Sequence, residues 1–460
     1  MAHGNTAPAY LDAPAVTQQL ARFVSNHPSR GWTSAVNKEA ARTFLNWLGC
    51  AIGAADHITS NSAMAAIQVL QPAAQSTVLG RKERVDIANA AFLNGISSHT
   101  FDFDDTHLKT IIYPAGPVAS AILAMSEVKG KSGQELLDAL VIGIDVACRV
   151  GNAMYPDHYS RGWHITGTTG TLGAAAGCAR LLGLDEQRTT MALGIAASQP
   201  VGLREQFGTM TKPLHPGAAA KAGLKAALLA QNGFTASTRS LEAPRGFMQV
   251  ISDKFDWNEI SENLGERFEI SYNSYKPFAC GIVIHPSIEA CTRLHAQGIT
   301  AADIRDIRLK VHPLVLELTG KKEPRNGLEA KFSVFHASAV GLIFGRASEA
   351  EFADEVVARR DVETLRGKIV ATAHETIAED ACELIATLAD GREIGIAIEH
   401  AVGSLGRPMS DADLETKFHG LADPILGSTQ TKALLNVAWE TAEAKDVHQL
   451  VRLATPQSQA

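Results

Sequence analysis

Apolar residues at helical spacing run through an alanine- and glycine-rich stretch between residues 14 and 250, and this leaves few folds open to the chain. The clearest example has an apolar residue at every fourth position: Ala40, Phe44, Leu48 and Ile52. Similar stripes follow in residues 85–96 and 118–128. Because residues at this spacing line one face of an α-helix, this part of the chain is predicted to form a large helical bundle.

Small residues in this stretch indicate closely packed helices. Gly167, Gly170 and Gly173 lie in one alanine-rich segment, and their spacing invites comparison with a dinucleotide-binding loop. The G-x-G-x-x-G pattern itself is missing, and no strand of β-branched residues precedes the segment. We therefore favour helix packing over a nucleotide site.

Strand patterns enter in the second part of the chain. Residues 304–318 carry branched apolar side chains near alternate positions, interrupted at Pro313, which predicts a strand with a bend. Residues 383–388 and 393–399 flank an Asp390-Gly391 step, which supplies the positive φ angles of a tight hairpin turn. Two segments between these strands have helical periodicity: 330–344 and 352–365. This part is predicted to be α+β with a small antiparallel sheet.

Helical patterning returns near the C-terminus. Ser410 is a candidate N-cap for a helix that starts at Asp411. We expect an all-helical domain of residues 1–268, completed by residues 405–460, and a smaller α+β domain of residues 269–404. The predicted fold class is mainly α.

Composition and charge exclude several classes of protein. The chain has 460 residues, 45% of them hydrophobic, and a formal net charge of -7 without a run of lysine and arginine. A nucleic-acid binder would carry a basic footprint, so no nucleic acid is expected as a partner. Residues 1–8 lack the basic start and apolar core of a secretory signal, and no apolar stretch could span a bilayer. We expect a cytoplasmic protein with no membrane partner.

The cysteines are scattered along the chain and form no C-x-x-C pair. The six are Cys50, Cys148, Cys178, Cys280, Cys291 and Cys382. This pattern argues against a disulfide framework and against a structural zinc site. We expect most of them to be buried as small apolar residues.

A dense group of mostly titratable side chains stands out after the second helical stripe. Asp102, Asp104, Asp105, Thr106 and His107 fall within six residues. Carboxylates packed this closely repel one another, so at least one is expected to become neutral or to be neutralised by a cation. An aspartate-rich loop that caps the next helix would show the same pattern. The cluster alone leaves both alternatives open.

Three further segments combine cationic or proton-transferring groups with turn residues. His164 follows Trp163 and precedes a small-residue helix, and its imidazole is a candidate acid or base. Lys212 and His215 are expected in a loop before a helix, held by prolines and glycines. Lys276 lies in a Lys-Pro step at the predicted domain junction, where clefts tend to form. A structural histidine and a solvated lysine are the alternatives for the first two segments.

Lysines and histidines beside carboxylates are suited to hold an anionic substrate while a proton moves at carbon. Preorganised cations can stabilise the enediolate charge that forms next to a carboxylate. We therefore expect a small anionic carboxylic acid as substrate and no cofactor. Asp102, His107 and His164 could be combined into a zinc or iron site, but no ligand spacing such as H-E-x-x-H supports one. No metal is expected.

Six ordered segments of this sequence resemble the MmgE/PrpD family, which includes 2-methylcitrate dehydratase, cis-aconitate decarboxylase and iminodisuccinate epimerase. They are residues 102–107 (DFDDTH), 162–171 (GWHITGTTGT), 208–217 (GTMTKPLHPG), 276–280 (KPFAC), 329–333 (EAKFS) and 403–411 (GSLGRPMSD). The resemblance covers most of the chain. It implies an all-helical domain to which the C-terminal helices return, a smaller α+β lid domain, a homodimer, and a metal-independent active site between the domains.

The resemblance also implies roles for individual side chains. Asp102 and Thr106 would line the pocket, and Lys276 would approach the substrate from the lid. The candidate catalytic residues are His164, Lys212, Asp102 and Tyr113. The candidate substrate-binding residues are Thr106, His107, His215, Lys276 and His336.

Three positions depart from the decarboxylase pattern. Tyr113 stands before Pro114 where a His-Pro step is usual, Gly281 replaces a histidine after Cys280, and His336 sits where a tyrosine follows Lys-Phe-Ser. Tyrosine ionises near pH 10 unless it is perturbed, so Tyr113 should alter which step the site catalyses. Gly281 would enlarge the pocket or let the backbone approach, which indicates a substrate of different shape.

These observations lead to three hypotheses about function. The first is a cofactor-independent lyase that dehydrates or decarboxylates a small di- or tricarboxylic acid by proton transfer next to a carboxylate. The second is an isomerase or epimerase that acts on a similar polycarboxylate. The third is a non-catalytic binding protein that retains the fold.

Overall fold

The protein is built mainly of helices. A computed structural model describes residues 14–28 and 32–457, and it confirms the predicted mainly α fold with a smaller α+β part. The segment 1–8, which was expected to carry no secretory signal, lies outside these ranges.

The first part of the chain forms a body of helices. In chain order they are α1 (Val16–Asn26), α2 (Ser34–Gly53), α3 (Ile58–Gln68), α4 (Ile87–Thr100), α5 (Ala115–Lys129), α6 (Gly133–Met154), α7 (Asp157–Ser160), α8 (Ile165–Leu181), α9 (Glu186–Ala197), α10 (Thr211–Gln231), α11 (Phe247–Ile251) and α12 (Asn258–Ser261). Two short antiparallel strand pairs accompany them: β1 (Ser76–Thr77) with β2 (Arg84–Val85), and β3 (Thr106–His107) with β4 (Asn273–Ser274). Helix α10 packs against α4, α5 and α8, helix α5 also packs against α4 and α8, and α6 packs on α8.

Glycines let these helices approach closely. A Cβ atom on Gly173 of α8 would lie 2.6 Å from the carbonyl oxygen of Gly143 in α6. One on Gly170 would lie 2.5 Å from Cγ of Pro117 in α5. Both distances are shorter than any ordinary contact, so only glycine fits at these crossings. The interpretation of this segment as helix packing is confirmed.

The second part of the chain combines helices with a four-stranded sheet. Its helices are α13 (His285–Ala296), α14 (Pro313–Thr319), α15 (Gly327–Ala330), α16 (Val334–Phe344), α17 (Asp354–Val357) and α18 (Arg360–Arg366). Its strands are β5 (Ile304–Val311), β6 (Ile369–Ala373), β7 (Cys382–Leu388) and β8 (Glu393–Ile398), in the spatial order β6-β5-β7-β8. The predicted hairpin is confirmed as β7 and β8, which pair antiparallel.

Two details of this part differ from the prediction. The strand predicted over 304–318 ends at Val311, and Pro313 begins α14 instead of bending the strand. Proline fits the first turn of a helix because its fixed φ is helical and its missing N–H has no partner there. The sheet is also mixed, since β6 runs parallel to β5. The helices α14–α18 form the crossover that a parallel connection requires.

The C-terminal segment returns to the helical body as predicted. It forms α19 (Asp411–Leu426), α20 (Ser428–Trp439) and α21 (His448–Leu453). Ser410 caps α19 in a reciprocal capping box with Asp413, which confirms the predicted N-cap. Helix α19 packs against α2, where a Cβ atom on Gly49 would lie 2.9 Å from the Phe418 ring.

Buried apolar side chains form two hydrophobic cores. One is built from residues between Val16 and Tyr275 together with the segment that forms α19–α21. The other is built from residues 279–401, joined by Cys50, Ala54, Phe101, Phe103 and Leu421 from the helical body. The domain boundaries at residues 268 and 404 stay a prediction.

Two expectations from composition can be compared with the structure. All six cysteines are buried and have free thiols, which confirms that they form no disulfide framework. Within residues 14–28 and 32–457, no helix combines the length and the apolar character needed to cross a membrane.

Candidate active site

A short strand pair brings the aspartate loop next to the segment that carries Lys276. Thr106 in β3 pairs with Ser274 in β4, so the residues just outside each strand become neighbours. Asp102 lies in this loop with a φ of 52°, a left-handed conformation that side chains other than glycine rarely adopt. Such backbone strain often occurs at functional sites, where the surrounding structure enforces it.

Two lysines share one carboxylate oxygen at the centre of the site. Oδ1 of Asp102 accepts hydrogen bonds from Nζ of Lys212 at 2.8 Å and from Nζ of Lys276 at 3.0 Å. Nζ of Lys276 also donates to the carbonyl oxygens of Asp102 at 2.8 Å and Cys280 at 3.0 Å. Burial alone would raise the pKa of Asp102, but the two ammonium groups outweigh it and hold that pKa well below its usual range.

Lys212 is a buried residue of a helix, which corrects the prediction that it lies in a loop. It is in the first turn of α10, and His215 follows one turn later. The first turn tolerates Pro213 because the leading N–H groups of a helix have no intrahelical partner. Burial lowers the pKa of the Lys212 ammonium, and Asp102 opposes this shift. The alternative of a solvated surface lysine is wrong.

Aromatic rings surround the Lys212 ammonium. Its Nζ atom lies 5.0 Å from the ring centroids of Tyr113 and Phe332 and 5.2 Å from that of Phe207. Ring faces attract cations at this range. These rings hold the ammonium group in place and, unlike a further carboxylate, do not neutralise its charge.

His164 and His215 form a buried imidazole pair. His164 precedes α8 as its N-cap residue, and its Nδ1 atom lies 2.9 Å from Nδ1 of His215. Its Nε2 atom is buried and has no hydrogen-bond partner among the described residues. Burial, together with the nearby imidazole and ammonium groups, holds the pKa of His164 well below its usual range. Burial lowers the pKa of His215 to about 4, so both rings are neutral near pH 7.

The N-terminal ends of three helices meet at this cluster. The backbone N–H of Tyr113, just before α5, donates to Oγ1 of Thr166 in the first turn of α8 at 3.0 Å. The contact between His164 and His215 joins the starts of α8 and α10. Helix N-termini carry partial positive charge and free N–H groups. The backbone therefore adds to the lysines in favouring an anion.

Tyr113 lies against both lysines. Its hydroxyl oxygen is 3.3 Å from Nζ of Lys276, and the same Nζ lies 4.5 Å from the centroid of the ring. Burial and the carboxylate of Asp102 raise the pKa of Tyr113 well above its usual range. The phenol is therefore a neutral hydrogen-bond donor and not a base.

His99 and Asp104 also belong to this cluster, although neither was among the candidate site residues. Nδ1 of His99 lies 2.7 Å from Oδ2 of Asp104, and both side chains are buried. The His99 ring lies 4.8 Å from that of Tyr113 and 5.6 Å from that of His164, between centroids. The sequence signal that could have identified His99 was a histidine in the last turn of the helix that precedes the aspartate-rich loop.

The aspartate loop behaves as its crowding predicted. Burial and the neighbouring Asp104 raise the pKa of Asp105 to about 8, which keeps this carboxyl neutral near pH 7. Its Oδ2 atom accepts from Nδ2 of Asn273 at 2.8 Å and from the backbone N–H of Ala115 at 3.3 Å. One carboxyl is thus protonated and Asp102 is neutralised by cations, which confirms both parts of the expectation.

Three of the other candidate residues form no hydrogen bond with this cluster. His107 turns its Nε2 atom to Oε2 of Glu269 at 2.9 Å. Nε2 of His336 lies 3.1 Å from the carbonyl oxygen of Glu351. Thr106 is buried in β3, and its hydroxyl has no partner within the described ranges. The geometry therefore gathers Asp102, Tyr113, His164, Lys212, His215 and Lys276, and it separates His107 and His336 from them.

Gly281 allows a close backbone approach. Its N–H donates to the carbonyl oxygen of Lys331 at 3.1 Å, and a Cβ atom there would lie 3.0 Å from Cγ2 of Thr319. Of the two alternatives considered for this glycine, the backbone approach agrees with this packing.

One group of side chains has the spacing of a metal site. His99, Asp102 and Asp104 place possible ligand atoms within 4.8 Å of one another. However, two ammonium groups lie within hydrogen-bonding distance of Asp102, and their charge opposes a divalent cation. The set fits an ion-pair network better than it fits a metal.

Comparison with known proteins agrees with the motifs in this site. The profile of the MmgE/PrpD N-terminal domain matches residues 18–260, and that of the MmgE/PrpD C-terminal domain matches residues 278–441. The chain belongs to the MmgE/PrpD family. The resemblance stated from the six segments is confirmed.

Curated members of the MmgE/PrpD family align with most of this chain. Cis-aconitate decarboxylase of Aspergillus terreus is 26% identical, with 95% of each chain covered. The enzyme of the same name from Mus musculus is also 26% identical, with 95% of this chain and 93% of its own covered. 2-Methylcitrate dehydratase of Escherichia coli is 24% identical over 71% of each chain. These relatives are lyases, which confirms the prediction of an enzyme of that class.

Proposed function

We propose that the protein is a lyase that dehydrates or decarboxylates a small di- or tricarboxylic acid without a cofactor. The observation that carries this proposal is the buried cluster in which Lys212 and Lys276 share one oxygen of Asp102, beside the Nε2 atom of His164, which has no partner among the described residues. The relatives named for cis-aconitate and 2-methylcitrate support a tricarboxylic acid as substrate.

The cluster is suited to bind carboxylates and to stabilise a carbanion. The two lysines and the starts of α8 and α10 attract negative charge. When a substrate loses a proton or carbon dioxide next to a carboxylate, the electron pair passes into that carboxylate as an enediolate. The ammonium groups stabilise this charge, and Tyr113 can donate a further hydrogen bond.

His164 is the proposed proton carrier. Its ring is neutral, and its Nε2 atom has no partner within the described part of the chain, so it can exchange a proton with a substrate. The proton shared with His215 can sit on either ring, which lets Nε2 of His164 act as donor or acceptor.

The test is an assay of the purified protein with cis-aconitate, 2-methylcitrate and a panel of other di- and tricarboxylates. We expect His164→Ala and Lys212→Ala to lower kcat by about 10²-fold or more, with a much smaller change in thermal stability. Lys276 would still neutralise Asp102 in the lysine variant. Lys310→Met, which changes an exposed lysine of β5 paired with Glu383, is the control. Full activity in a folded His164 or Lys212 variant would contradict the assignment.

Product analysis in deuterated water separates the remaining functions. A new alkene or released carbon dioxide indicates the lyase, whereas deuterium in an epimer of unchanged formula indicates an epimerase. Thermal stabilisation by a polycarboxylate without turnover would indicate a binding protein. The homodimer and the cytoplasmic location stay predictions.

A further inference from the structure

The pair formed by His99 and Asp104 has the geometry of an oriented imidazole base. The carboxylate holds Nδ1 of the ring at 2.7 Å, and the opposite nitrogen, Nε2, is buried with no hydrogen-bond partner in the described part of the chain. A carboxylate accepts a hydrogen bond, so the ring proton lies on Nδ1. Nε2 then carries a lone pair.

The open Nε2 atom of His99 has an energetic cost. A buried polar atom without a partner costs about 1–3 kcal/mol, so a ligand that bonds to it is favoured. His158, in the same helical body, has a partner at both nitrogens: Oγ1 of Thr168 at 2.8 Å and the carbonyl oxygen of Ile251 at 3.4 Å. Nδ1 of His107 is also buried without a partner among the described residues, so the position of His99 beside other open atoms decides its role.

The surroundings of His99 are those of the proposed active site. Its ring is next to the Tyr113 and His164 rings, at centroid distances of 4.8 and 5.6 Å. The unpartnered buried atoms in this region also include Oδ2 of Asp102 and Nε2 of His164. Three elements thus leave an unsatisfied polar atom in one small region, which is where substrate groups would complete the hydrogen bonding.

We propose that His99, oriented by Asp104, is a second proton-transfer residue of this site and acts as the general base. This inference rests on the proposed function. His99 would be a catalytic residue, because it would contact the substrate hydrogen, and Asp104 would be its positioning residue.

The step that His99 would carry out is removal of a proton from the carbon next to a substrate carboxylate. The C–H bond breaks as the Nε2–H bond forms, and the electron pair passes into the carboxylate as an enediolate. The resulting imidazolium keeps its Nδ1–H bond to Asp104, whose negative charge stabilises it. Burial lowers the pKa of His99, which agrees with a neutral ring ready to accept a proton.

Charged and titratable groups face His99 from several elements. They are Asp102 and Asp104 in the loop after α4, Tyr113 before α5, His164 before α8, and Lys212 and His215 in α10. Asp104 and Asp102 favour the imidazolium, whereas Lys212 disfavours it. Loss of Asp104 should therefore lower the pKa of the base.

The first test is the variant His99→Gln, assayed on a polycarboxylate that the wild-type protein turns over. We expect kcat to fall by about 10²–10⁴-fold, with KM little changed and with loss of solvent deuterium exchange at the substrate carbon. His158→Gln removes an equally buried histidine that has a partner at each ring nitrogen and is the control, with kcat near wild type. A folded His99→Gln protein with wild-type kcat and exchange would overturn the role of His99 while leaving the proposed function intact.

The second test is Asp104→Asn, which keeps the imidazole if His99→Gln does not fold. An amide can donate to Nδ1 and leave the ring proton on Nε2, where it blocks the base. We expect a lower kcat and a shift of the acidic limb of the kcat/KM profile to lower pH. A lower rate with an unmoved limb would mean that Asp104 only supports the fold, and would overturn its positioning role. A wild-type protein inert toward every polycarboxylate would overturn the proposed function and this inference together.

Discussion

At the scale of single residues, the site depends on how burial is combined with charge. Asp102, Lys212 and Lys276 are buried together, so each charge retains a partner of opposite sign. Asp105 forms no ion pair within residues 14–28 and 32–457 and takes a proton instead. The same physical demand, that a buried charge be paired or removed, thus gives opposite protonation states to two carboxyls three residues apart.

The raised pKa of Asp105 predicts a pH-dependent stability. The unfolded carboxyl loses its proton near pH 4, whereas the folded one keeps it up to about pH 8. Native stability should therefore fall as the pH rises through this window. Asp105→Asn removes the effect, so its free energy of unfolding relative to wild type should increase by up to about 1.4 kcal/mol per pH unit.

Urea unfolding of both proteins at several pH values between 4 and 8 measures this difference. Asp390→Asn, which alters an exposed turn beside Arg392, is the control and should show little change across the window. A stability difference for Asp105→Asn that does not vary with pH would mean that this carboxyl is ionised in the native protein.

At the scale of helices, close crossings depend on glycine. A Cβ atom on Gly217 of α10 would lie 2.4 Å from the carbonyl oxygen of Phe92 in α4. Helix α10 also carries Lys212 and His215, so the crossing sets where their side chains reach the cluster. The glycine at this crossing thus has a direct role in positioning the site.

Substitution of Gly217 by alanine should separate α10 from α4. Overpacking of this kind costs about 1–3 kcal/mol, and a shift of α10 should also lower activity. Gly420→Ala in α19 is a matched control, because a Cβ atom there would meet nothing within 4 Å. Alanine favours an exposed helix over glycine by up to about 1 kcal/mol, so this variant should be stabilised. Thermal unfolding of both variants gives the comparison, and equal stability of the two would contradict the role of the crossing.

At the scale of the whole molecule, one buried lysine ties three distant segments together. Nζ of Lys417 in α19 donates to Oδ1 of Asn46 at 2.7 Å, to the carbonyl of Phe103 at 2.6 Å and to the carbonyl of Lys276 at 3.0 Å. These contacts join α2, the aspartate loop and the Lys276 segment. Helix α19 thereby supports the residues of the site from outside the cluster.

Lys417→Met should weaken both the fold and the site. The methionine leaves three buried acceptors without this donor, at a cost of about 1–3 kcal/mol for each one that stays unsatisfied. Lys276 should lose its fixed position, which would raise KM or lower kcat. Lys432→Met changes an exposed lysine of α20 and should have neither effect. Denaturant unfolding and the polycarboxylate assay check the two parts, and unchanged activity in the Lys417 variant would rule out the supporting role.

The local features of this protein could be predicted because they depend on neighbours along the chain. Helical periodicity, the Asp390-Gly391 turn and the Ser410 cap each follow from spacings of a few residues, and all three are present. Motifs also identified Asp102, His164, Lys212 and Lys276 as candidates. The strand over 304–318 was predicted too long, because alternation alone does not show that proline can start a helix.

Tertiary packing was needed to say which side chains meet. Asp102 lies 110 residues from Lys212 and 174 from Lys276 along the chain, and no local pattern reveals that both lysines share one of its oxygens. For the same reason, the sequence suggested His336, which lies outside the cluster, and did not suggest His99, which lies within it. Burial and contact arise when separate elements pack, and these long-range contacts assign each carboxyl and imidazole its charge.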